Sequence, residues 1–456
     1  MQKLFDEVAS LDKRCYEEFF LSEDILMEHA AEGMAEYIRN NFNKNAKIII
    51  VCGSGNNGAD GIALGRLLHG TYDASLLILK KPSSPMAILQ QKRAKSVGVK
   101  EIEKLEHCDV LVDAIVGTGF IGTFNAELQN VLEQMNAQEA FKIACDVPSG
   151  YLFCADVTLT MGALKKRMFL DSAKEFVGDI KVLDLGVSRD VYEKPSGWNL
   201  LDLQDLKLPH RTKKDSHKGC YGHLALALGE KSGASIMSAL SALRFGAGLV
   251  TLVGYEVIQI PHQLMYSHEV PANATALALG MGLGAEFSQI ELDTFLDNSL
   301  PLVADADILS LPVILDILKR DNVIVTPHAK EFVALLKITN VANITTEELQ
   351  KERFKYAELF CKTFPNITLL LKGANVIIGQ DERFYINPHG TPALAKGGSG
   401  DVLSGLVGAL LAQGRTPLEA AINGSLTHAK LALNYNGADF SLTPDDLINE
   451  ISRLEK

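Results

Sequence analysis

Short apolar runs rich in β-branched residues alternate with amphipathic stretches along the first part of the chain. Apolar residues in the intervening stretches recur at the spacing of helices with one buried face. Alternation of strand and helix is typical of a parallel sheet covered by helices on both faces, so the pattern predicts an α/β domain. The predicted strands are residues 47–52, 74–79, 110–113, 142–145 and 178–186, and the first helix after a strand is predicted at 62–69.

The periodic pattern is lost over residues 188–216, where Pro195, Gly197 and Pro209 disfavour regular structure, and we place a domain boundary there. A second alternating series follows and ends in a helical part, which predicts a second α/β domain. The predicted strands of this series are residues 223–228, 250–253, 302–304, 323–325, 368–371 and 376–378, and the helical part covers 401–454. The predicted domains are residues 1–205 and 210–456.

The composition is that of a globular protein, since 47% of the 456 residues are hydrophobic and 22% are charged. The 44 Lys and Arg residues against 56 Asp and Glu residues give a formal net charge of −12, which argues against nucleic acid and anionic membranes as partners. The seven cysteines include no C-x-x-C pair, so neither a disulfide framework nor a zinc cluster is predicted. The N-terminus is acidic and has no apolar core of signal-peptide length, no apolar run in the chain is long enough to span a membrane, and we expect a cytoplasmic protein.

A glycine-rich run before the late helical part is the strongest candidate for chemistry. It reads Lys396-Gly-Gly-Ser-Gly-Asp401. Glycines let the backbone approach a ligand and point N–H groups at it, and the following helix adds the positive end of its dipole. Asp401 then stands where a transferring phosphoryl group would arrive, which predicts a phosphate site with a built-in base. The alternative is that Asp401 only caps the helix and that the glycines only turn the chain.

A second glycine-rich loop, residues 53–61 (GSGNNGADG), follows the first predicted strand. It contains G-x-G-x-x-G between a strand and a helix, the arrangement of dinucleotide-binding domains. The ordinary fingerprint places an acidic residue at the end of the next strand, whereas that strand here ends at Lys80 and Lys81. Two asparagines and Asp60 also add polarity that a pyrophosphate turn does not need. A redox Rossmann domain is therefore the alternative and not the preferred interpretation.

Two further loops carry an aspartate at the end of a predicted strand. In one, Asp113 precedes a turn with Gly117-Thr118-Gly119, and in the other Asp146 precedes Ser149. The carboxyl ends of parallel strands form the ligand crevice of an open sheet, so we expect these polar residues and Asn57 to converge. Each aspartate taken alone is equally consistent with a turn-forming role.

These motifs resemble those of the NAD(P)H-hydrate epimerase family. The resemblance covers about residues 1–200 and rests on Leu26-Met27-Glu28 and on the motifs GNNGADG, DAIVGTG and DVPSG. It implies a Rossmann-like three-layer fold, interconversion of the R and S hydrates of NADH and NADPH, and a role for Asp146 in handling the proton that allows C6 to invert. The residues implied to bind the hydrate are Asn56, Asn57, Gly58, Ala59, Asp60, Gly117, Thr118, Gly119, Phe120, Ile121, Gly122, Thr123 and Asp146, and those implied to surround a K⁺ ion are Asn57, Asp113 and Ser149.

One departure from this family pattern is Ala59, where glycine is usual. Glycine adopts a positive φ readily, whereas alanine is strained there. If the loop needs a positive φ at this position, we expect Ala59 to reduce stability, to shift the loop and to slow the epimerase.

The second predicted domain carries several polar motifs at strand ends, among them Asp305-Ala-Asp307. Lys372-Gly373 follows a strand and offers a cation and exposed N–H groups, which suits nucleotide phosphates, although a solvated strand-end lysine is an alternative. His328 offers a hydrogen-bonding group to a ligand. Alternatively, Thr326-Pro327 followed by Glu331 marks the start of a helix, and His328 then has a structural role.

In this order, the motifs HKGxxG, GxGLG, TPHxxE, KG-A and GGSGD resemble those of the ADP/ATP-dependent NAD(P)H-hydrate dehydratases. The resemblance covers about residues 210–456 and implies a ribokinase-like α/β fold that uses ADP or ATP with Mg²⁺. The implied nucleotide contacts are Lys372, Gly373, Ala374, Asn375, Val376, Gly398, Ser399 and Gly400, and the implied hydrate contacts are Ala234, Gly284, His328 and Asp401. Two departures, Lys396 in place of a small hydroxyl residue and Ala329-Lys330 in place of Pro-Gly, add positive charge that we expect to alter the nucleotide preference.

Together the resemblances imply repair of hydrated nicotinamide coenzymes. Asp401 would accept the proton of the C6 hydroxyl, the oxygen would take the terminal phosphoryl group, and phosphate would leave. The expected partners are the small molecules NAD(P)HX and ADP or ATP, and the expected assembly is a homo-oligomer. The alternatives are a small-molecule kinase of the ribokinase-like class fused to a dinucleotide-binding domain, which would release a stable phosphorylated product, and a nucleotide sensor without turnover.

Overall fold

The computed structural model describes residues 1–120, 122–255, 259–284 and 289–455. By its internal contacts the chain divides into two compact units, Gln2–Ser196 and Gly197–Lys456 together with Met1. The division lies within residues 188–216, where the sequence loses its periodic pattern. It comes before the limits at 205 and 210, because Trp198–Leu200 forms a strand paired with Arg383–Asn387 of the C-terminal unit. The predicted limits at 205 and 210, as ends of independently folding domains, stay a prediction.

The N-terminal unit alternates strands and helices over most of its length. Its strands in the described residues are β1 (Gln2–Phe5), β2 (Lys47–Cys52), β3 (Asp73–Ile78), β4 (Lys100–Ile102), β5 (Val110–Ala114), β6 (Phe141–Cys145), β7 (Val157–Met161), β8 (Leu164–Lys165) and β9 (Asp179–Leu183). Its α-helices there are α1 (Ala9–Glu18), α2 (Glu23–Asn41), α3 (Asn56–Leu68), α4 (Pro85–Val97), α5 (Ala126–Asn136), α6 (Lys174–Val177) and α7 (Arg189–Tyr192).

Seven of these strands form a parallel sheet in the order β4-β3-β2-β5-β6-β7-β9. Along the chain this is the strand order of dinucleotide-binding folds, about 3-2-1-4-5-6, with one strand added at the end. The order reverses between β2 and β5, so a crevice lies beyond the carboxyl ends of these two strands. The remaining strands of the unit, β1 and β8, pair with each other in parallel.

The central strand β2 is buried on both faces, as expected for a parallel sheet between two helical layers. Ile48 packs in the apolar cluster that includes Met34 of α2. Its neighbour Ile49 points to the opposite face and packs in the cluster that includes Leu132 of α5. The strand therefore joins two apolar cores, and its carboxyl end is held rigidly where the first glycine-rich loop begins.

Glu28, part of a motif that the sequence singles out, links three helices of this unit. Its carboxylate forms ion pairs with Arg66 of α3 and with Arg93 of α4, the latter at 3.1 Å. It also accepts a hydrogen bond from Gln90 of α4 at 2.9 Å. These partners give Glu28 a structural role, since it holds α2 against the helix that follows the glycine-rich loop.

The C-terminal unit repeats the alternation with a longer helical end. Its strands in the described residues are β10 (Trp198–Leu200), β11 (His223–Ala227), β12 (Leu249–Val253), β13 (Met265–Ser267), β14 (Ala276–Leu279), β15 (Leu302–Ala304), β16 (Val323–Val325), β17 (Ile367–Leu371), β18 (Val376–Gln380) and β19 (Arg383–Asn387). Its α-helices there are α8 (Ser232–Arg244), α9 (Gln289–Leu296), α10 (Ile314–Ile317), α11 (Ala329–Ile338), α12 (Thr346–Lys351), α13 (Arg353–Thr363), α14 (Ser399–Ala412), α15 (Pro417–Leu433) and α16 (Pro444–Glu450).

The strands of this unit follow the order β13-β12-β11-β14-β15-β16-β17-β18-β19-β10. All neighbours from β13 to β17 are parallel, and β18 is antiparallel to both β17 and β19. The connections leave β11 in opposite directions, so a second crevice lies beyond the carboxyl ends of β11 and β14. The expected α/β class with parallel sheets is confirmed in both units.

The predicted strands are all found, with ends shifted by up to a few residues. The helix predicted at 62–69 begins earlier, at Asn56, so part of the glycine-rich loop is already helical. The strands that the sequence does not predict are β1, β4, β7, β8, β10, β13, β14 and β19. Over the described residues, no helix is both long and apolar enough to cross a membrane.

Helices α8 and α14 approach each other unusually closely. The hydroxyls of Ser238 and Ser241 in α8 donate to the backbone oxygens of Asp401 (2.7 Å) and Val402 (2.8 Å) in α14. A Cβ atom on Gly405 would lie 2.2 Å from the carbonyl oxygen of Ser238, so the approach requires glycine. This contact fixes the first turn of α14, which follows the predicted phosphate loop.

We expect Gly405→Ala to lower the free energy of unfolding of the C-terminal unit by about 1–3 kcal/mol, because the added methyl group forces two backbones apart. Denaturant unfolding followed by circular dichroism measures the effect. Gly233→Ala in α8 is the matched control, since no heavy atom lies within 4 Å of its Cβ position. That control should leave stability unchanged or raise it by up to about 1 kcal/mol. Equal stabilities of the two variants would contradict the close helix contact.

Candidate active sites

The loops after β2 and β5 cross at the switch point of the N-terminal sheet. Gly53 donates its backbone N–H to the oxygen of Ala114 at 3.0 Å. A Cβ on Gly53 would lie 1.9 Å from the backbone oxygen of Ile115, and one on Gly58 would lie 2.1 Å from the oxygen of Gly53. Close backbone approach thus explains these glycines, and it brings the loop of residues 53–58 against the loop that follows Asp113.

The residues Asn56–Asp60 form the first turns of α3, behind the N-cap residue Gly55. Asn56 donates from Nδ2 to Glu23 at 2.7 Å. Ala59 is fully buried within the helix, and its φ is not positive. The prediction that an alanine is strained at this position is therefore wrong. In a helical position alanine is favoured over glycine, and the departure from the family pattern leaves the loop undistorted.

Asp113 and Ser149 form a buried pair that joins the second and third loops. Asp113 accepts hydrogen bonds from the Ser149 hydroxyl (2.6 Å), the Ser149 amide (2.7 Å) and the Ile115 amide (3.1 Å). The Ser149 hydroxyl oxygen in turn accepts from the amide of Val116 at 3.0 Å. Burial raises the pKa of Asp113 to about 6, against the opposing effect of these hydrogen bonds.

Asn57 lies beside these loops with an unsatisfied polar group. Its Nδ2 atom is buried and has no hydrogen-bond partner among the described residues, and its Oδ1 atom lies 3.4 Å from the Cβ position of Gly117. Carboxylate, hydroxyl and amide oxygens are the donors that hard cations prefer. The oxygen atoms of Asn57, Asp113 and Ser149 are therefore of a kind that fits the K⁺ ion implied by the resemblance, and their role as its ligands stays a prediction.

Asp146 follows β6 directly and has a backbone φ of +69°. Its Oδ1 atom accepts from Thr160 Oγ1 at 3.3 Å and from the Met161 amide at 3.1 Å, and it forms an ion pair with Lys165. Lys165 does not stand out in the sequence. It is visible there as a lysine after the apolar Leu164, but the sequence does not show that its partner is Asp146.

The loop that begins at Gly117 borders the same crevice, since the Cβ position of Gly117 lies 3.4 Å from Asn57 Oδ1. Phe120 stacks on Phe124 with ring centroids 4.5 Å apart, which anchors the middle of the loop. The Cβ positions of Gly119 and Gly122 face open space, and Gly122 has a φ of +132°. Ile121, which the resemblance assigns to the hydrate site, lies outside the described residues. Thr118 and Thr123 are in the described part, and their role in binding stays a prediction.

In the C-terminal unit, the glycine-rich run leads into the buried helix α14. Gly398 is its N-cap residue with a φ of +89°, and a Cβ there would lie 2.6 Å from Pro444. The Ser399 amide donates to the backbone oxygen of Lys396 at 3.2 Å, whereas the amides of Gly400 and Asp401 lie in the first turn, where an α-helix leaves N–H groups without acceptors. These amides and the helix dipole suit a phosphate group.

Lys372 lies at the same helix start. Its ammonium forms an ion pair with Asp305 at 2.7 Å, and it lies 3.6 Å from the Cβ position of Gly400. Asp305 is fully buried and also accepts from the Ser404 hydroxyl at 2.6 Å. Burial alone would lower the pKa of Lys372, but the charges of Asp305 and Glu331 raise it, so the ammonium stays charged beside the phosphate loop.

Asp401 stands one residue beyond Gly400 in the same turn. Burial raises its pKa to about 6, the charge of Asp305 adds to this effect, and the charge of Lys372 opposes it. A carboxylate with a pKa near the working pH suits general-base catalysis. The motifs in the sequence single out Asp401 and, without a role, Asp305, whereas nothing in the sequence points to Ser404. Asp305 pairs with Lys372 and is itself held by Ser404.

Ala234 and Gly284, implied to contact the hydrate, lie at the second switch point. Ala234 is in the first turn of α8, and a Cβ on Gly282 would lie 2.9 Å from its methyl group. Gly284 has a φ of +84°, and its amide donates to Asp307 Oδ2 at 2.9 Å. The loop after β14 therefore packs against the helix that follows β11.

His328 has a structural role that one of the two sequence hypotheses anticipates. It is the N-cap residue of α11, and its Nδ1 atom accepts from the amides of Lys330 (3.1 Å) and Glu331 (3.2 Å). The Glu331 carboxylate accepts from the His328 amide at 2.8 Å and completes a capping box. Nε2 of His328 lies 3.3 Å from Glu331 Oε1, about half of the His328 side chain is exposed, and its contact with the hydrate stays a prediction.

The residues Gly373–Asn375 form the turn between β17 and β18, and Val376 begins β18. Ser399 of the glycine-rich run hydrogen-bonds through Oγ to His428 Nε2 at 3.0 Å, a partner that the sequence analysis does not identify. Burial lowers the pKa of His428 to about 4, so the imidazole is neutral near neutral pH. Lys396 donates to the backbone oxygen of Phe440 at 2.7 Å, so its charge is already engaged outside the phosphate loop.

The two units define a class of protein before any comparison is made. Each unit is an open, mainly parallel α/β sheet with polar loops beyond the carboxyl ends of strands at a switch point, where such sheets bind nucleotides and related ligands. Residues 23–167 match the family model of the YjeF-related protein N-terminus. Residues 224–453 match the family model of the NAD(P)H-hydrate dehydratases.

The chain is similar over its whole length to curated proteins of one kind. The bifunctional NAD(P)H-hydrate repair enzyme of Helicobacter pylori is 42% identical over 100% of both chains. The enzyme of the same name from Coxiella burnetii is 30% identical over 90% of both chains. A solved structure of the ADP/ATP-dependent NAD(P)H-hydrate dehydratase of Bacillus subtilis, co-crystallised with ATP and Mg²⁺, is 28% identical and covers 55% of this chain and 94% of its own, with a TM-score of 0.47.

The chain therefore belongs to the family of bifunctional NAD(P)H-hydrate repair enzymes, with an epimerase domain followed by a dehydratase domain. This confirms the family, the fold class and the enzyme class that the sequence resemblance implies. The roles of the individual site residues stay predictions.

Proposed function

We propose that the N-terminal unit interconverts the R and S hydrates of NADH and NADPH and that the C-terminal unit returns the S hydrate to the coenzyme with ADP or ATP as phosphoryl donor. One observation carries the proposal most strongly. Asp401 lies in the first turn of a buried helix, where amides without acceptors and the Lys372 ammonium surround the place for a phosphoryl group. Proteins named for this activity match the whole chain.

In the dehydratase reaction, the hydroxyl group at C6 must depart, and hydroxide is a poor leaving group. Asp401 takes the proton of the C6 hydroxyl, and the oxygen attacks the terminal phosphoryl group as the bond to the nucleotide breaks. The C6–O bond then breaks with phosphate as leaving group, while N1 supplies the electron pair. Loss of a proton from C5 restores the dihydronicotinamide. The amides of Gly400 and Asp401 and the charge of Lys372 stabilise the transferring group.

The residues near the phosphoryl site fit Mg²⁺ that arrives with the nucleotide. In the described part of the chain, no group of three or more His, Cys, Asp or Glu side chains forms a ready metal site. Mg²⁺ commonly uses substrate phosphates, water and one or two carboxylates, and Asp305 and Asp401 flank the phosphate loop. When bound, the ion neutralises phosphate charge.

In the epimerase, inversion at C6 requires a bond at that carbon to open and close again. Asp146 takes the proton of the C6 hydroxyl, the C6–N1 bond breaks with its electron pair going to N1, and N1 takes up a proton. Closure onto the other face of the carbonyl runs the same steps in reverse. Asn57, Asp113 and Ser149 would hold K⁺, and the ion would supply positive charge to the site.

The pH dependence of the dehydratase tests the role of Asp401. Since the pKa of Asp401 is raised to about 6 and the base acts when ionised, kcat/KM should fall about tenfold per pH unit below that value and level off above it. Steady-state rates with the S hydrate across this range measure the profile, and nucleotide affinity at each pH is the control. A rate that stays level far below this pKa would contradict the assignment.

The direct test of the proposed function is incubation of each hydrate epimer with ADP or with ATP. We expect the S hydrate to yield reduced coenzyme and free phosphate, and the R hydrate to be consumed through the S hydrate. A stable phosphorylated hydrate would instead favour the small-molecule kinase, and nucleotide binding without turnover would favour a sensor. A cytoplasmic location, a homo-oligomeric assembly and the choice between ADP and ATP are further predictions of the same proposal.

A further inference from the structure

Lys165 is a fully buried lysine next to the Asp146 carboxylate, with 1% of its side chain exposed. Its ammonium forms an ion pair with Asp146 Oδ1 and donates to Thr160 Oγ1 at 2.7 Å and to the Met161 backbone oxygen at 3.0 Å. An ammonium group has three hydrogens, so each has an acceptor and the position of Nζ is fixed. A buried charge is costly unless it is paired, and Asp146 supplies the pairing charge.

The carboxylate of Asp146 is held asymmetrically. Oδ1 accepts from Lys165, from Thr160 Oγ1 and from the Met161 amide. Within the part of the chain that the structure describes, Oδ2 has no hydrogen-bond donor. The backbone is also fixed in an unfavourable conformation, with φ at +69° and the Asp146 amide bonded to the oxygen of Leu159 at 2.9 Å. The residue thus offers one oxygen, Oδ2, for proton exchange.

Two further carboxyl groups lie in the electrostatic neighbourhood of this pair. Burial raises the pKa of Asp12, which accepts from the Tyr192 hydroxyl at 2.7 Å. Burial also raises the pKa of Asp60, and the charge of Asp146 adds to the rise at both residues. The charge of Lys165 opposes the rise at both residues, so it counteracts the mutual repulsion of all three carboxyl groups.

We propose that Lys165 is a positioning residue of the epimerase, which holds Oδ1 of Asp146 so that Oδ2 faces the C6 hydroxyl of the hydrate. In the step it serves, the O–H bond of the hydroxyl breaks and an Oδ2–H bond forms, and the reverse transfer follows ring closure. Lys165 keeps its own proton throughout. The inference rests on the proposed epimerase function and adds a residue that neither the motifs nor the family comparison assigns.

Lys165→Met in the full-length chain tests the proposal, because methionine has a similar volume and lacks the ammonium. Conversion of the R to the S hydrate is followed by separating the epimers without nucleotide, so that the dehydratase does not act. We expect kcat to fall about 100-fold with KM unchanged, and dehydration of the S hydrate to keep its normal rate. A kcat equal to that of the unmodified protein would overturn the proposal.

Lys166→Met is the matched control. Lys166 is also buried, with 3% of its side chain exposed, but its ion pair is with Asp6 at 2.7 Å. The same chemical change one residue along the chain should leave the epimerase kcat close to normal. If both variants lose the same amount of epimerase kcat, the loss comes from removing a buried charge from the structure. That result would overturn a specific role for Lys165.

A second pair of variants decides the case if Lys165→Met does not fold, as judged by thermal unfolding. Thr160→Val removes the hydroxyl that bonds both Lys165 and Asp146 but keeps the shape, whereas Thr160→Ser keeps the hydroxyl. We expect the valine variant to lose about tenfold or more in kcat and the serine variant to retain it. Equal rates would overturn the proposal. If the unmodified protein fails to interconvert the epimers, the epimerase function itself is wrong, and that outcome is distinct from a failure of the Lys165 variants.

Discussion

Asp401→Asn should lower the turnover of the dehydratase by about 10²–10⁴-fold while leaving nucleotide affinity nearly unchanged. Asparagine keeps the size of the side chain and its place in the first turn of α14, but it cannot take the proton of the C6 hydroxyl. The Ser238 hydroxyl bonds the backbone oxygen of residue 401, so the helix start should stay in place. Release of phosphate and recovery of reduced-coenzyme absorbance from the S hydrate measure the loss.

The control for this variant is Asp445→Asn, a change of the same kind in the first turn of α16. Asp445 is exposed, and its replacement removes a charge at a helix start, as Asp401→Asn does. We expect normal turnover there. Near-normal turnover of Asp401→Asn would remove Asp401 from the mechanism, whereas loss of nucleotide affinity would indicate that its charge serves binding.

Asp146→Asn should lower the rate of epimer interconversion by about 10²–10⁴-fold, because the amide cannot accept the proton at Oδ2. The same molecules should dehydrate the S hydrate normally. With ADP or ATP present, a mixture of epimers should therefore lose its S form quickly and keep its R form. Separating the two epimers at successive times shows whether the R hydrate persists. The slowest interconversion that can be measured is the rate without enzyme.

Asp109→Asn is the matched control in the same unit. The Asp109 carboxylate accepts from the Lys47 amide at 2.8 Å, at the amino ends of the strands and opposite the crevice. Asparagine can keep this hydrogen bond, so the epimerase should keep its rate. If the Asp146→Asn variant consumes both epimers at the normal rate, the Asp146 carboxylate is not the proton acceptor.

The fold class could be predicted from the amino-acid sequence, because the alternation of strands and helices is set by local patterns of residues. The run Lys47–Cys52 is apolar throughout, as a strand between two helical layers must be, and the glycines at 53 and 58 stand where backbones cross. Gly398 likewise stands where the chain packs closely, against Pro444, and where a helix begins. Local pattern was insufficient for short strands such as β8, whose pairing partner is distant in the chain.

The sequence by itself thus determined two α/β halves, the loops at their strand ends and the aspartates that can act there. Only the tertiary structure decided which charges meet: Lys165 with Asp146, and Lys372 with Asp305 beside Gly400. It also decided that Ala59 is helical, that His328 caps α11 and that Lys396 bonds the Phe440 backbone. The physical reason is that residue type and spacing set local conformation, whereas ion pairing, burial and pKa depend on segments that only folding brings together.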